Sequence, residues 1–299
     1  MNGPDEKIIY TFENDELKRL ISNSLSSHYL LMMRKKILDQ NQAYTLFIDD
    51  EKIKINFISI LEKEIFELKG KKILDVGCGK GGVALLCAMK GASVSAFDSN
   101  QQEIDIAFLR AQQCNLSNIE FFTNNAEIIP YPENYFDLVI ASSVLEHAHN
   151  LEVIIKEMIR VTNVGGICCI SCPNPIFPRE AHYKVFLIPY LTKSIQNFYL
   201  KIRGFDTTFF INFVVYPYPS LKKISNLLDQ NGMDVKNVTL TEFKTLILNP
   251  TLIQTPFLKR IFCAIKKIHF SGIAIKIITI FPLYPNFMLY AKKRENQKN

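Results

Sequence analysis

Apolar and polar positions along this chain change their spacing at Gly70. Before it, residues 1–68 place Leu17, Leu20, Ile21 and Leu25 at helical intervals. A basic and apolar stretch follows from Tyr29 to Leu38, then Ile58, Leu61, Ile65 and Leu68, and the whole segment predicts helices. After Gly70 the runs shorten. Strands are predicted over 72–76, 92–97, 119–122, 136–141 and 166–172, with helices over 83–90, 102–113 and 151–161. That β-α alternation predicts a parallel sheet with helices on both faces. The rhythm breaks after Cys172 with a Pro- and aromatic-rich insertion over 173–204. A helix over 220–231, a strand over 233–240, a largely apolar and cationic stretch over 245–281, and a last strand over 287–291 complete the pattern.

The 299 residues, 48% hydrophobic and 21% charged, exclude disorder as the main state. With 12 Gly and 13 Pro the chain is not collagen-like. Residues 1–16 are rich in Asp and Glu and lack the basic start and apolar run of a signal peptide, so no export is expected. The longest stretch free of Asp, Glu, Lys and Arg, 161–178, is broken by Gly165, Gly166, Pro173 and Pro175, so no spanning helix is expected. Seven cysteines follow no disulfide framework, which predicts a reduced, cytoplasmic setting. Cys169 and Cys172 have C-x-x-C spacing. In a strand an odd separation sends them to opposite faces, so they read as structural cysteines and no metal is expected there.

The segment Ile73-Leu-Asp-Val-Gly-Cys-Gly-Lys-Gly-Gly82 carries the strongest chemistry, at the end of the first strand and the start of a helix. Glycines there allow a sharp turn and let a ligand approach the helix N-terminus. Gly77, Gly79 and Gly82 satisfy G-x-G-x-x-G, and Asp98 lies 21 residues after Gly77, where a dinucleotide's ribose-binding acid belongs. Asp75 argues for another ligand. A carboxylate beside the loop repels a pyrophosphate and favours a cationic amino acid carrying a sulfonium.

Asp75-x-Gly77-x-Gly79-x-Gly81 resembles the first motif of class I S-adenosylmethionine-dependent methyltransferases, of the methyltransferase-11 type. Further segments are similar to that family in order: Asp98, Asn125-Ala126-Glu127 followed by Pro130, Phe136-Asp137-Leu138-Val139, Ser143-Val144-Leu145-Glu146-His147, and Glu157-x-x-Arg160-Val161 with Gly165-Gly166. The resemblance covers 70–172 closely and 220–240 more loosely. It implies S-adenosyl-L-methionine as cofactor, held by Asp75, Gly77, Cys78, Gly79, Gly81, Asp98, Ser99, Asn125, Ala126 and Ser142. Asp98 is implied at the ribose hydroxyls and Asn125-Ala126 at the adenine. Asn125 stands where the family has an acid, and Val164 where it has a proline. An amide oxygen still accepts from an adenine amino group, so an altered adenine contact is expected.

Methyl transfer from a sulfonium is an in-line displacement that rests on positioning and desolvation, and a hydroxyl or amine acceptor gains from a base. Of the five histidines, His147 follows the fourth strand at its carboxyl end, where parallel sheets bind ligands. A packing or helix-cap role is the alternative reading. His182, in Pro178-Arg-Glu-Ala-His-Tyr183, lies in an insertion that resembles the substrate lid of bacterial methyltransferases of glycan and natural-product pathways. That resemblance implies Glu180 and His182 as acid/base partner and base; a solvated loop is the alternative.

The formal net charge is +6, and its location matters. From Phe243 to Arg294 there are nine basic residues and no acidic one, so the rest of the chain is slightly acidic. Within 257–281, Lys259, Arg260, Lys266 and Lys267 fall largely opposite Phe257, Leu258, Ile261, Phe262, Ile265 and Ile268, which predicts a basic amphipathic helix. It reads as a helix packed on the sheet or as a membrane-surface helix; nucleic acid is not expected.

The expectation is an α/β, Rossmann-like fold of seven strands, mostly parallel with the last reversed. A helical cap over 1–68 precedes a methyltransferase domain over 69–299, with a substrate lid over 173–219 and a basic insertion over 245–283. The expected reaction is O-methylation of a glycan, lipid-linked sugar or small metabolite. The alternatives are methylation of a quinone-type ring and a non-catalytic binding domain. The expected location is cytoplasmic; 257–281 reads either as attaching the chain peripherally at the inner membrane face or as packing on the sheet.

Overall fold

The computed structural model describes residues 15, 17–23, 54, 57–63, 67–178, 185–186, 191–205, 207, 218–250, 256–267, 270–280 and 284–295. Its centre is a seven-stranded sheet in the order β3-β2-β1-β4-β5-β7-β6. The strands are β1 (Lys72–Val76), β2 (Ser93–Asp98), β3 (Ile119–Thr123), β4 (Phe136–Ser142), β5 (Thr162–Pro173), β6 (Met233–Asn237) and β7 (Asn286–Lys293). β7 runs antiparallel to both of its neighbours, and the other pairs are parallel, so the expected reversed last strand is present.

Helices α1 (Gly82–Met89), α2 (Gln101–Gln113) and α3 (Leu151–Val161) connect the first five strands. α4 (Lys193–Ile202) and α5 (Leu221–Gln230) lie between β5 and β6, and α6 (Val238–Leu248), α7 (Pro256–Lys267) and α8 (Ser271–Ile280) lie between β6 and β7.

Strand alternation divides the core in two. Ile73, Ile140 and Cys169 pack with α1 on one face, whereas Leu74, Val139, Cys168, Ile170 and Cys172 pack with α3 and α5 on the other. Cys169 and Cys172 therefore face opposite sides of the sheet, as their spacing requires. All seven cysteines are free thiols, and no metal-holding group of His, Cys, Asp and Glu occurs among the described residues. In the N-terminal segment, Leu17 and Ile21 pack with Ile106 of α2, while Phe57, Ile58 and Leu61 join the core under α1.

β5 begins at Thr162, earlier than expected, and two further differences lie in the connection from β6 to β7. The strand expected over 233–240 stops at Asn237, whose side chain accepts from the Leu240 N–H at 3.0 Å and caps α6. A cap thus overrides the β-forming Val238-Thr239. The single helix expected over 257–281 is two helices, α7 and α8, with the second opening at Ser271-Gly272, residues of low helix propensity. Among the described residues no helix is long and apolar enough to cross a membrane.

Candidate active site

The strand order reverses between β1 and β4, which makes the carboxyl ends of these strands the place where an open α/β sheet binds a ligand. The loop 77–81 leaves β1 there. Gly77, Gly79 and Gly81 all have positive φ (66°, 51° and 77°), and Gly82 already begins α1. The turning glycines therefore follow the spacing 77, 79, 81 and not the dinucleotide spacing that ends at Gly82. A Cβ on Gly77 would lie 2.6 Å from Val144 Cγ2. The loop after β4 thus leans directly on the glycine turn.

Three backbone donors of this loop are engaged within the protein. The Cys78 N–H donates to the Phe97 carbonyl at 2.9 Å, the Gly79 N–H to Asp98 Oδ2 at 2.9 Å, and the Gly81 N–H to the Cys78 carbonyl at 3.0 Å. A phosphate cradle needs such N–H groups free. Acids surround the loop instead. Asp75, Asp98 and Glu103 all act electrostatically on the Cys78 thiol, which burial and these charges push up. Glu103 also pairs with Lys80 at 2.8 Å.

Asp75 is buried at 2% exposure, and its Oδ2 has no hydrogen-bond partner. Burial lifts its pKa from 3.8 to about 7, against the attraction of Lys54 and a hydrogen bond from the Ala84 backbone, with Asp98 adding repulsion. A buried, orphaned carboxylate oxygen at the foot of a donor-poor loop suits a cation.

Asp98, half-buried at the end of β2, accepts from Gly79 through Oδ2 and from the Asn100 N–H through Oδ1, 2.9 Å each. The cap of α2 is Asn100, whose side chain accepts from the Gln102 N–H. Asp98 is therefore free of the helix-cap role. Ser99 beside it is exposed.

Asn125 is exposed, and its Oδ1 accepts from the Glu127 N–H at 3.1 Å, leaving a second lone pair. Half-buried Ala126 packs against the core. This loop is fastened from below by a pair whose structural role the sequence did not reveal. Glu157 accepts from the Ile129 N–H, while Arg160 donates to the Ile129 and Tyr131 carbonyls at 2.8 Å and pairs with Glu157. Arg110 was also missed. It is fully buried and donates to the Lys80 carbonyl, anchoring the glycine loop from α2. Its place in α2, among Ile104, Ile106 and Ala107, was the available signal.

β4 ends at half-buried Ser142. Ser143 follows at φ 58°, its N–H donating to the Ser171 carbonyl at 2.9 Å. A 3₁₀ turn over Leu145–His147 then buries Glu146, with Cys172 Sγ 3.8 Å from its Oε2, and leaves His147 half-buried. Since Val144 touches Gly77, His147 stands three residues from the contact between the two loops. Glu180 and His182 lie outside the described residues. A surface cavity of about 260 Å³, lined by Lys72, Ser93, Asn118, Glu120 and Tyr135, opens at the opposite, amino-terminal edge of the strands and has no part in this site.

The reversed seventh strand, the switch point and the acid-lined glycine loop define the methyltransferase class of Rossmann-like folds. Residues 74–170 match the family of methyltransferase domains. The chain is 33% identical over 147 residues to a ubiquinone biosynthesis O-methyltransferase of Coxiella burnetii, covering 47% of this chain and 62% of that enzyme. It is 37% identical over 100 residues to a sterol 24-C-methyltransferase of Gibberella zeae, covering 33% of this chain and 26% of that one. Much of each relative's own length is thus left unmatched. Its fold is similar to that of an S-adenosylmethionine-dependent methyltransferase from Mesorhizobium loti, with a TM-score of 0.50 and 16% identity over 79% of this chain and 96% of that one.

Proposed function

We propose that this protein transfers a methyl group from S-adenosylmethionine to a hydroxyl oxygen of a small or lipid-linked acceptor. The observation that carries the reading is the buried, unpartnered Oδ2 of Asp75 beneath a loop whose Cys78, Gly79 and Gly81 N–H groups are occupied. Asp75 would hold the ammonium of the cofactor's amino acid, Asp98 its ribose hydroxyls through lone pairs not used by Gly79 and Asn100, and Asn125-Ala126 its adenine. When bound, the cofactor supplies an electrophilic methyl on a sulfonium that leaves as a neutral thioether. The chain's own work is then placement and proton removal. His147, beside the Gly77–Val144 contact, takes the proton of the acceptor hydroxyl on a ring nitrogen as the oxygen–methyl bond forms. Glu180 and His182 are a second candidate acid/base pair.

Two matched relatives act, by their names, on different acceptors, one at an oxygen and one at a carbon. The O-methyltransferase relative favours a hydroxyl on a quinone-type ring as a specific second reading beside a glycan, lipid-linked sugar or small metabolite. Methyl-labelled S-adenosylmethionine, offered with a polyprenylated catechol and separately with a lipid-linked sugar, tests it. Label in either product supports oxygen methylation. A chain that binds the cofactor and labels no acceptor supports the non-catalytic alternative.

A further inference from the structure

The connection between β6 and β7 is far larger than the hairpin that would suffice to reverse the chain. α6 packs on β7, with the Met288 N–H donating to Thr239 Oγ1 at 2.8 Å, and α7 and α8 pack on α6 and on each other. The outward surface of this insertion has two characters. On α7, Arg260, Cys263, Ala264 and Lys267 are exposed at three- and four-residue spacing, with exposed Lys266 beside them. On α8, Ile273 and Ile277 are 47% and 49% exposed around Lys276, and Phe270 just before the helix is 45% exposed. Large apolar side chains side by side in water mark an interaction surface.

The charge identifies the partner. No acidic residue occurs between Phe243 and Arg294. At the end of β7, Lys293 donates to the Ile159 and Thr162 carbonyls and Arg294 pairs with Asp229 and Asp234, while Lys292 is exposed. On α7 and α8, Arg260, Lys267 and Lys276 are exposed next to exposed isoleucines. A nucleic acid has no use for the isoleucines; an anionic lipid surface has use for both.

We propose that the α7–α8 surface docks on an anionic bilayer, with Phe270, Ile273 and Ile277 entering the boundary between headgroups and acyl chains and Arg260, Lys267 and Lys276 meeting the headgroups, while Lys266 donates to the Leu248 carbonyl at 2.7 Å. The sheet registers orient the docked chain. β6 ends at Asn237 opposite Leu289, and β7 begins at Asn286 opposite Pro173. The insertion thus springs from the edge of the sheet that carries the glycine loop and His147. α4, which follows β5 from that same edge, exposes Ile195, Phe198 and Ile202 flanked by Lys193, Lys201 and Arg203. A docked chain holds its site at the lipid surface, where a lipid-borne acceptor is met. That consequence rests on the methyl-transfer reading, whereas the docking itself does not.

Co-sedimentation of the full chain with vesicles separates the two. The chain pellets with phosphatidylglycerol vesicles and stays in solution with pure phosphatidylcholine. Arg260→Glu/Lys267→Glu/Lys276→Glu weakens binding by about fivefold per residue, on the order of a hundredfold together. Ile273→Ser/Ile277→Ser weakens it about tenfold, with thermal unfolding unchanged because both side chains face solvent. The proposal is overturned by any of four outcomes: no sedimentation with phosphatidylglycerol; sedimentation indifferent to both variants; retention by a duplex oligonucleotide without vesicle binding; or a dimer that the isoleucine variant dissociates without vesicle binding.

Discussion

The Gly79 backbone N–H donates to Asp98 Oδ2 across 2.9 Å, so an acid at the end of β2 fixes the loop at the end of β1. The bond spends a donor that a pyrophosphate would need, and it leaves a carboxylate at the rim of the site. Asp98→Ala removes both features, freeing the loop and deleting the ribose acceptor. S-adenosylhomocysteine affinity is expected to fall at least tenfold by calorimetry, with Asp98→Asn losing less because an amide oxygen still accepts from Gly79.

Asp75 sets stability against binding. Its carboxyl is raised from 3.8 to about 7 by burial, so the unfolded chain releases this proton more readily than the folded one. Its share of stability is fully present below about pH 4 and is lost as pH rises towards 7, a difference of about 4 kcal/mol by linkage. Asp75→Asn removes that loss. The ligand-free variant is expected to melt higher than wild type at pH 8 while losing cofactor affinity, and a lower melting temperature would contradict the burial argument.

The same carboxyl makes binding pH-dependent. A proton and a cationic ligand compete for Asp75, so affinity for S-adenosylmethionine falls by up to about tenfold per unit below pH 7 and levels off above it. Titrations at pH 6, 7 and 8 read this directly. In Asp75→Asn the slope disappears.

Gly77 and Val144 test the junction between the loops. Gly77→Ala places a Cβ 2.6 Å from Val144 Cγ2 on a residue with φ +66°, and a loss of roughly 2–4 kcal/mol is expected in denaturant unfolding. Adding Val144→Ala relieves the collision and leaves only the backbone strain, so the double variant recovers part of the loss. An additive double variant would mean that the two loops do not touch.

Much of this was legible in the chain. The apolar runs place the strands, because a strand covered on both faces is apolar throughout, and the odd separation of Cys169 and Cys172 places them on opposite faces. The glycine loop was readable as a turn, but its internal hydrogen bonds were not, since Phe97 and Asp98 lie some 20 residues away and meet it only across the sheet. Arg110 was not singled out from the sequence; its guanidinium is buried in α2 and donates to the Lys80 carbonyl. The insertion failed in its boundaries: Asn237 is a cap that the β-forming residues after it obscure, and the break before Ser271 is obscured because apolar positions continue on both sides of it.

His147→Gln is expected to keep cofactor affinity within about twofold and to lower methyl transfer by about 10²–10⁴-fold, the range of a general base. His182→Ala, measured beside it, assigns the base. If only the second variant is inactive, His147 is a packing residue of the turn that follows β4.

In the proposed site, Asp75 selects a cationic cofactor over a pyrophosphate. Isothermal calorimetry at pH 8 with S-adenosylmethionine and with NAD, on wild type and Asp75→Asn, tests it most directly. S-adenosylmethionine is expected to bind the wild type at one site and the variant at least tenfold more weakly, with no heat from NAD. Saturable NAD binding without binding of S-adenosylmethionine would contradict it.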